Sequence, residues 1–195
     1  MNKWIAGRIL KCCQCLRVFF YSAISTGHST GSAQKIQPVL VLGRGVVKFE
    51  ENVTLGFFPS AFFLNGYIHL EARNEASSIT IGEGSYVNNN FVAVAEHTAI
   101  RIGKRCLVGT NVEIIDSDFH GIKVLDRLVS CPQDSRPVNI GDDVFIGSNV
   151  KILKGVSIGH GSVIANGSIV VGLIPSNVIA GGNPAKVLRV IENER

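Results

Sequence analysis

A chain of 195 residues fits one domain, and 46% hydrophobic with 17% charged content excludes a disordered protein. The net charge of +4 is unevenly placed: residues 1–49 carry seven basic side chains and no acid, leaving 12 basic and 15 acidic residues beyond them. A basic head on a slightly acidic body speaks against a general nucleic-acid surface and for local contact with something anionic.

The first predicted element is this basic segment, residues 1–35, with a helix as its expected form. Its apolar stretch is broken by Arg8, Lys11 and Arg17, so nothing approaches the roughly 18 uncharged residues of a membrane span. Trp4, Ile5, Ile9, Leu16, Phe19 and Phe20 alternate with the cations. Two readings of that pattern stand side by side. One is a peripheral contact of residues 1–25 with the inner membrane surface; the other is a helix docked on the protein's own body or on a neighbouring subunit. The five cysteines, three of them at Cys12, Cys13 and Cys15, make a poor disulfide framework, and no second pair completes a zinc set. Reduced thiols in the cytoplasm and no metal are expected.

Residues 36–195 read as one repeat domain. Its start is irregular, with Leu42-Gly43, Phe49 and Leu55-Gly56 hinting at degenerate coils and Phe57, Phe58, Phe62 and Phe63 adding bulk. Regularity begins at Ile81-Gly82 and continues at Ile102, Val108 and Ile114. From Ile140 an aliphatic residue recurs every sixth position: Ile140, Ile146, Ile152, Ile158, Ile164, Val170. Position i+4 is small or β-branched in the first five hexads (Val144, Val150, Val156, Ser162, Ser168), so i+4 and i+6 share the inner face of a short strand. Position i+5 (Phe145, Lys151, Ser157, Val163) then looks outward, and Gly141-Asp142-Asp143 or Gly147-Ser148-Asn149 turns the corner. Three such hexads close a triangular coil, and stacked coils pair in parallel around aliphatic layers. The class is all-β, a parallel β-helix.

Two departures follow. Residues 116–137 interrupt the repeat and carry Asp116, Asp118 and His120; long irregular insertions in a compact solenoid are usually functional. A C-terminal cap, residues 176–195, contains Gly181-Gly-Asn-Pro-Ala-Lys186, where Pro184 suits the first turn of a short terminal helix bearing Lys186 and Arg189.

Four strings, Tyr86-Val-Asn-Asn-Asn90, Asp116-Ser-Asp-Phe-His120, Val138-Asn-Ile-Gly-Asp-Asp-Val-Phe-Ile-Gly147 and Gly181–Lys186, give residues 79–193 a resemblance to hexapeptide-repeat O-acetyltransferases. The likeness is to the maltose and galactoside acetyltransferase group, and closer to relatives acting in O-antigen or capsule biosynthesis. The resemblance implies left-handed coils, since spacing alone does not set the hand and parallel crossovers are normally right-handed. It also implies a homotrimer with acetyl-CoA between subunits and a saccharide acceptor. In it His120 matches the catalytic base, and Asn90, with Asn88 behind it, a substrate-contacting asparagine. Phe145, Ser148 and Asn166 fall on the acetyl-CoA arm, and Lys186 and Arg189 near its phosphates. Relatives often have Thr-Lys where this chain has Val171-Gly172, so one cofactor cation is missing.

The chemistry agrees with the residue types. A sugar hydroxyl attacking a thioester must lose its proton, and an imidazole is suited to that at neutral pH. Asp116, Asp118 or a backbone carbonyl would orient it, and a backbone N–H near Ser148 would stabilise the oxyanion. Three other activities or roles compete for the same pattern: an N-acetyltransferase acting on an amino group, a non-catalytic β-helix that only assembles, and a zinc-dependent carbonic anhydrase. For the last, His97, His120 and His160 offer no closely spaced pair. A covalent role for Cys131 lacks an activating base.

Overall fold

In the computed structural model, which describes residues 3–192, the aliphatic hexads become three parallel sheets wrapped around one core. The first two residues of the basic segment and residues 193–195 of the cap lie outside the described residues. The first sheet runs His28–Thr30, Val46–Phe49, Ser78–Ile81, Ala99–Ile102, Val138–Ile140, Ser157–Ile158. The second runs Ala33–Lys35, Val53–Leu55, Tyr86–Val87, Leu107–Val108, Phe145–Ile146, Val163–Ile164, Val178–Gly182 and Ala185–Val190. The third runs Val39–Leu42, Ile68–Ala72, Val92–Ala95, Glu113–Ile115, Lys151–Ile152, Ile169–Val170. Successive strands fall on successive faces, so each pairs with the strand one coil away.

Register stacks the hexad positions into columns. Ile81, Ile102, Ile140 and Ile158 line up in the first sheet. Leu55, Val87, Val108, Ile146, Ile164 and Ala180 do so in the second. All ten side chains are buried, and each buried aliphatic adds roughly 1.5–3 kcal/mol. Corners need a left-handed residue, and asparagine supplies it where the second sheet turns into the third: Asn90, Asn111 and Asn149 have φ of 60, 57 and 59°. Their amides form a ladder, Asn90 Nδ2 donating to Asn111 Oδ1 and Asn111 Nδ2 to Asn149 Oδ1, both at 2.8 Å.

The β-helix starts at His28, ahead of the boundary expected at residue 36. His28–Thr30 and Ala33–Lys35 form the end coil, paired on one side only. With no inner layer to fill below them they carry no aliphatic period, which hides them in the sequence. Ahead of them Lys3–Ala23 is a helix, α1. Ala6, Leu10, Gln14, Arg17, Val18 and Tyr21 recur at helical spacing and are buried or half-buried. This face docks on the body. Arg17 donates to the carbonyls of Phe63 (3.0 Å) and Gly66 (2.7 Å), Gln14 donates to that of Ile36 (3.0 Å), and Tyr21 packs on Tyr67.

The expected C-terminal helix is not formed. Ala185–Val190 is a strand, antiparallel to Val178–Gly182. Gly182, at φ 104°, turns the chain back through Asn183-Pro184, and Val187 and Val190 favour extended backbone. The returning strand covers the sheet edge that a helix would have left unpaired. Residues 116–137 hold no strand, only 3-10 turns at Val124–Asp126 and Pro132–Asp134. Arg136 N–H closes the loop at its base on the Asp116 carbonyl, 2.8 Å.

Candidate functional site

The outward positions of the second sheet register into one row: Thr54, Tyr86, Leu107, Phe145, Val163, Ile179 and Arg189. Leu107 and Phe145 are 54% and 45% exposed, an apolar strip facing solvent in the single chain. A cavity of about 240 Å³ lies on it, lined by Phe57, Tyr86, Asn88, Leu107, Gly109 and Phe145. Lys186 and Arg189 end the row. Three residues apart, they would point to opposite faces of a regular strand. A register shift in the hairpin sets Lys186 opposite Gly181 and Arg189 opposite Ile179, two positions apart, so both share the row's face.

Beside Phe145, the corner residues hold one another. Ser148 N–H donates to Asn166 Oδ1 at 2.7 Å, and Ser148 Oγ accepts from the N–H (3.2 Å) and hydroxyl (3.0 Å) of Thr110. Gly147 makes this approach feasible, since a Cβ there would sit 2.3 Å from Asn166 Oδ1. The N–H groups of Gly147 and Asn149 go to the carbonyls of Ile164 and Thr110. The oxyanion donor expected from the backbone near Ser148 is therefore already engaged. The Ser148 hydroxyl proton remains as a donor on this wall.

His120 is exposed on the loop that leaves the third sheet, and it does not line the cavity holding Asn88 and Phe145. Its Nδ1 lies 3.1 Å from the Gly121 carbonyl. A carbonyl only accepts, so that contact places the proton on Nδ1 and the lone pair on Nε2. Neither aspartate orients the ring. Asp116 is fully buried and accepts from the N–H groups of Glu96 (2.7 Å), His97 (3.2 Å) and Thr98 (2.8 Å) and from the Thr98 hydroxyl (2.8 Å). Asp118 is engaged by Lys154 Nζ at 2.6 Å, which also donates to the Asp134 carbonyl at 2.7 Å. Both carboxylates shape the loop instead.

The asparagines also change order. Asn90 is committed: its N–H donates to Gln37 Oε1 at 2.8 Å and its amide joins the corner ladder. Asn88, whose Oδ1 accepts from the next residue's N–H and from no other donor among the described residues, lines the cavity.

A polar group that motif reading missed holds the loop down. Arg73 bridges Glu71 (2.9 Å) and the buried Glu96 (3.4 Å) and lies under the Phe119 ring, while Ser130 Oγ donates to Glu96 at 2.7 Å. Burial works to raise the Glu96 carboxyl, but hydrogen bonds from Ser117 and Ser130 and the Arg73 charge hold it below its ordinary value. The Arg73 hydrogen bond likewise lowers Glu71. Lys154 left a trace in the sequence, as the charge following Leu153, where that hexad loses its glycine. Arg73 sits ahead of the regular repeats and left none.

Comparison with known proteins adds the lineage. The profile described as the hexapeptide repeat of succinyl-transferase matches residues 99–128 and 137–171. A Schizosaccharomyces pombe protein provisionally named an acetyltransferase is 40% identical over 169 residues, 86% of this chain and 74% of that one. Galactoside O-acetyltransferase of Escherichia coli is 38% identical over 120 residues, 60% of this chain; the chain spans about half of that enzyme, 56% of its length. A solved galactoside acetyltransferase in complex with coenzyme A superposes with a TM-score of 0.57 at 24% identity, covering 94% of this chain and 83% of that one.

Proposed function

The chain belongs to the hexapeptide-repeat acetyltransferase family, and from that membership we propose that it moves an acetyl group from acetyl-CoA to a hydroxyl of a saccharide. Surface polysaccharide such as O-antigen or capsule is the proposed setting, and a left-handed coil the proposed hand. The observation that carries the proposal is the outward row of the second sheet: apolar from Tyr86 to Ile179 and ending in two cations on the same face. Three strand spacings separate Phe145 from Arg189, roughly 14 Å at about 4.8 Å each. A ligand long enough to lie along the strip, with phosphates at one end, fits that pattern.

The division of roles follows from the side chains. Lys186 and Arg189 hold phosphate, Phe145 and Leu107 flank the arm, and the Ser148 hydroxyl faces the thioester oxygen. His120 Nε2 takes the proton of the attacking hydroxyl as its oxygen bonds to the acyl carbon, and returns it to the sulfur as the carbon–sulfur bond breaks. Asn88 contacts the acceptor. His120 and the Phe145 strip lie on different faces of one prism, so a complete site needs the loop of one subunit against the strip of another. A homotrimer is the proposed assembly. The exposed Ile122, Val124, Leu125 and Leu128 on the His120 loop support it, since such apolar tips usually meet a partner.

Purified protein, acetyl-CoA and a panel of saccharides test this directly. His120→Ala should lower kcat by roughly a hundred- to ten-thousand-fold, with acetyl-CoA binding retained. A variant keeping more than half its activity would remove His120 as the base, and absence of transfer to every hydroxyl acceptor would remove the reaction.

A further inference from the structure

A second cavity, of about 690 Å³ and with a mainly apolar lining, lies between α1 and the end coil, larger than the one on the second sheet. Leu10, Val18, Ile36, Phe58 and Phe63 line it, and its size is that of a ligand site, about 300–1,000 Å³. Lys11 and Lys35 stand in the same lining, and neither has an acidic partner among the described residues. Lysines lay their methylene stems along apolar surface and present the ammonium group at its rim. An apolar trough with two unpaired cations in its wall is complementary to a hydrocarbon chain carrying an anionic head.

The cavity is also tied to the acceptor side. Phe58 lines it while the preceding residue, Phe57, lines the cavity holding Asn88. The segment between them is built on the Asn88–Asn90 corner. Buried Asn89 accepts from Phe57 N–H at 3.0 Å and donates to the carbonyls of Phe57 and Ala61, each at 2.9 Å. Gln37 joins the Phe62 carbonyl (2.8 Å) to the Asn90 N–H.

We propose that this groove seats the hydrocarbon chain of a lipid-linked saccharide phosphate, with Lys11 and Lys35 on the phosphate. The lipid site stands on its own observations; naming its occupant as the acceptor rests on the function proposed above.

The experiment uses the full chain and dodecyl phosphate below its micelle concentration, followed by calorimetry. One saturable site per chain is expected, at least tenfold tighter than for neutral dodecyl maltoside, with no heat from inorganic phosphate. Lys11→Ala with Lys35→Ala should weaken binding at least tenfold. Gly7→Leu should abolish it, because Gly7 lines the groove and a Cβ there meets nothing within 4 Å, so the fold tolerates the filling. Neither variant should alter kcat/KM on a soluble saccharide, while both should raise KM for a lipid-linked one. Three results overturn the site: adsorption to anionic vesicles without saturable binding of the monomeric probe, indifference of binding to Gly7→Leu, or loss of oligomeric state in that variant, which would make the occupant a second copy. Normal probe binding in a protein that transfers acetyl to nothing would instead overturn the proposed function and leave the site.

Discussion

Asn88 and Asn90 are two residues apart and chemically identical, yet the backbone gives them different tasks. At φ 60° Asn90 sits where most side chains are disfavoured by about 1–2 kcal/mol, and its amide completes the corner ladder. Asn90→Ala should therefore lower stability by about 1–2 kcal/mol, read by denaturant titration, and leave KM for the acceptor within twofold. Asn88→Ala should do the reverse, raising acceptor KM with little change in the unfolding midpoint. Equal effects of the two on KM would sink the assignment. Asp116 gives the same lesson. Its place beside His120 in sequence suggests an orienting role, but a fully buried carboxylate held by four donors cannot leave them to serve a ring on the surface.

At the level of elements, what repeats was legible and what ends the repeat was not. Ile140 to Val170 specify inner positions every six residues because every coil meets the same environment above and below. The end coil at His28 and the hairpin at Ala185 each meet a neighbour on one side only, and there local composition governs. The hairpin carries its own prediction. Because the bulge brings Lys186 and Arg189 to one face, replacing both by Ala should raise KM for acetyl-CoA well beyond any change in kcat, as contacts remote from the reacting bond do. The His120 loop is an element governed by charge. Glu96 is held below its ordinary 4.5, so its folded form binds fewer protons than the unfolded chain. Its stabilising contribution is complete above about that value and disappears as pH falls beneath it. Protection of the amides of residues 117–135, measured against the unstructured exchange rate at each pH, should fall below pH 4.5, while Glu96→Gln should lower it already at neutral pH and weaken the dependence. A loop equally protected at pH 3.5 and 7 would show that the Arg73–Glu96–Ser130 contacts do not hold it.

The whole molecule presents an unusual exterior at its N-terminal end. No helix among the described residues is long and apolar enough to cross a membrane. Docking on the body uses one face of α1, and the opposite face exposes Ile5, Ile9, Leu16 and Phe20. Of the cations expected to meet lipid headgroups, Arg17 is spent on the Phe63 and Gly66 carbonyls and Arg8 lies over Trp4. The basic residues therefore supply little, about 1 kcal/mol for Arg8 near an anionic leaflet, since Lys11 lines the groove. Four inserted side chains at roughly 1.5 kcal/mol or more apiece outweigh them. A peripheral membrane contact through α1 would thus be driven mainly by apolar insertion, and repetition in an oligomer would strengthen it. The full-length protein should sediment with anionic liposomes and remain bound when salt is raised to 0.5 M, where exposed charge pairs are largely screened. Leu16→Glu with Phe20→Glu should release it while leaving the helical circular dichroism and activity on a soluble acceptor unchanged. Release by salt alone would reverse the order of the two forces. Failure of the unaltered protein to sediment would leave the outward face of α1 to a neighbouring subunit, and the double variant should then lose its oligomer.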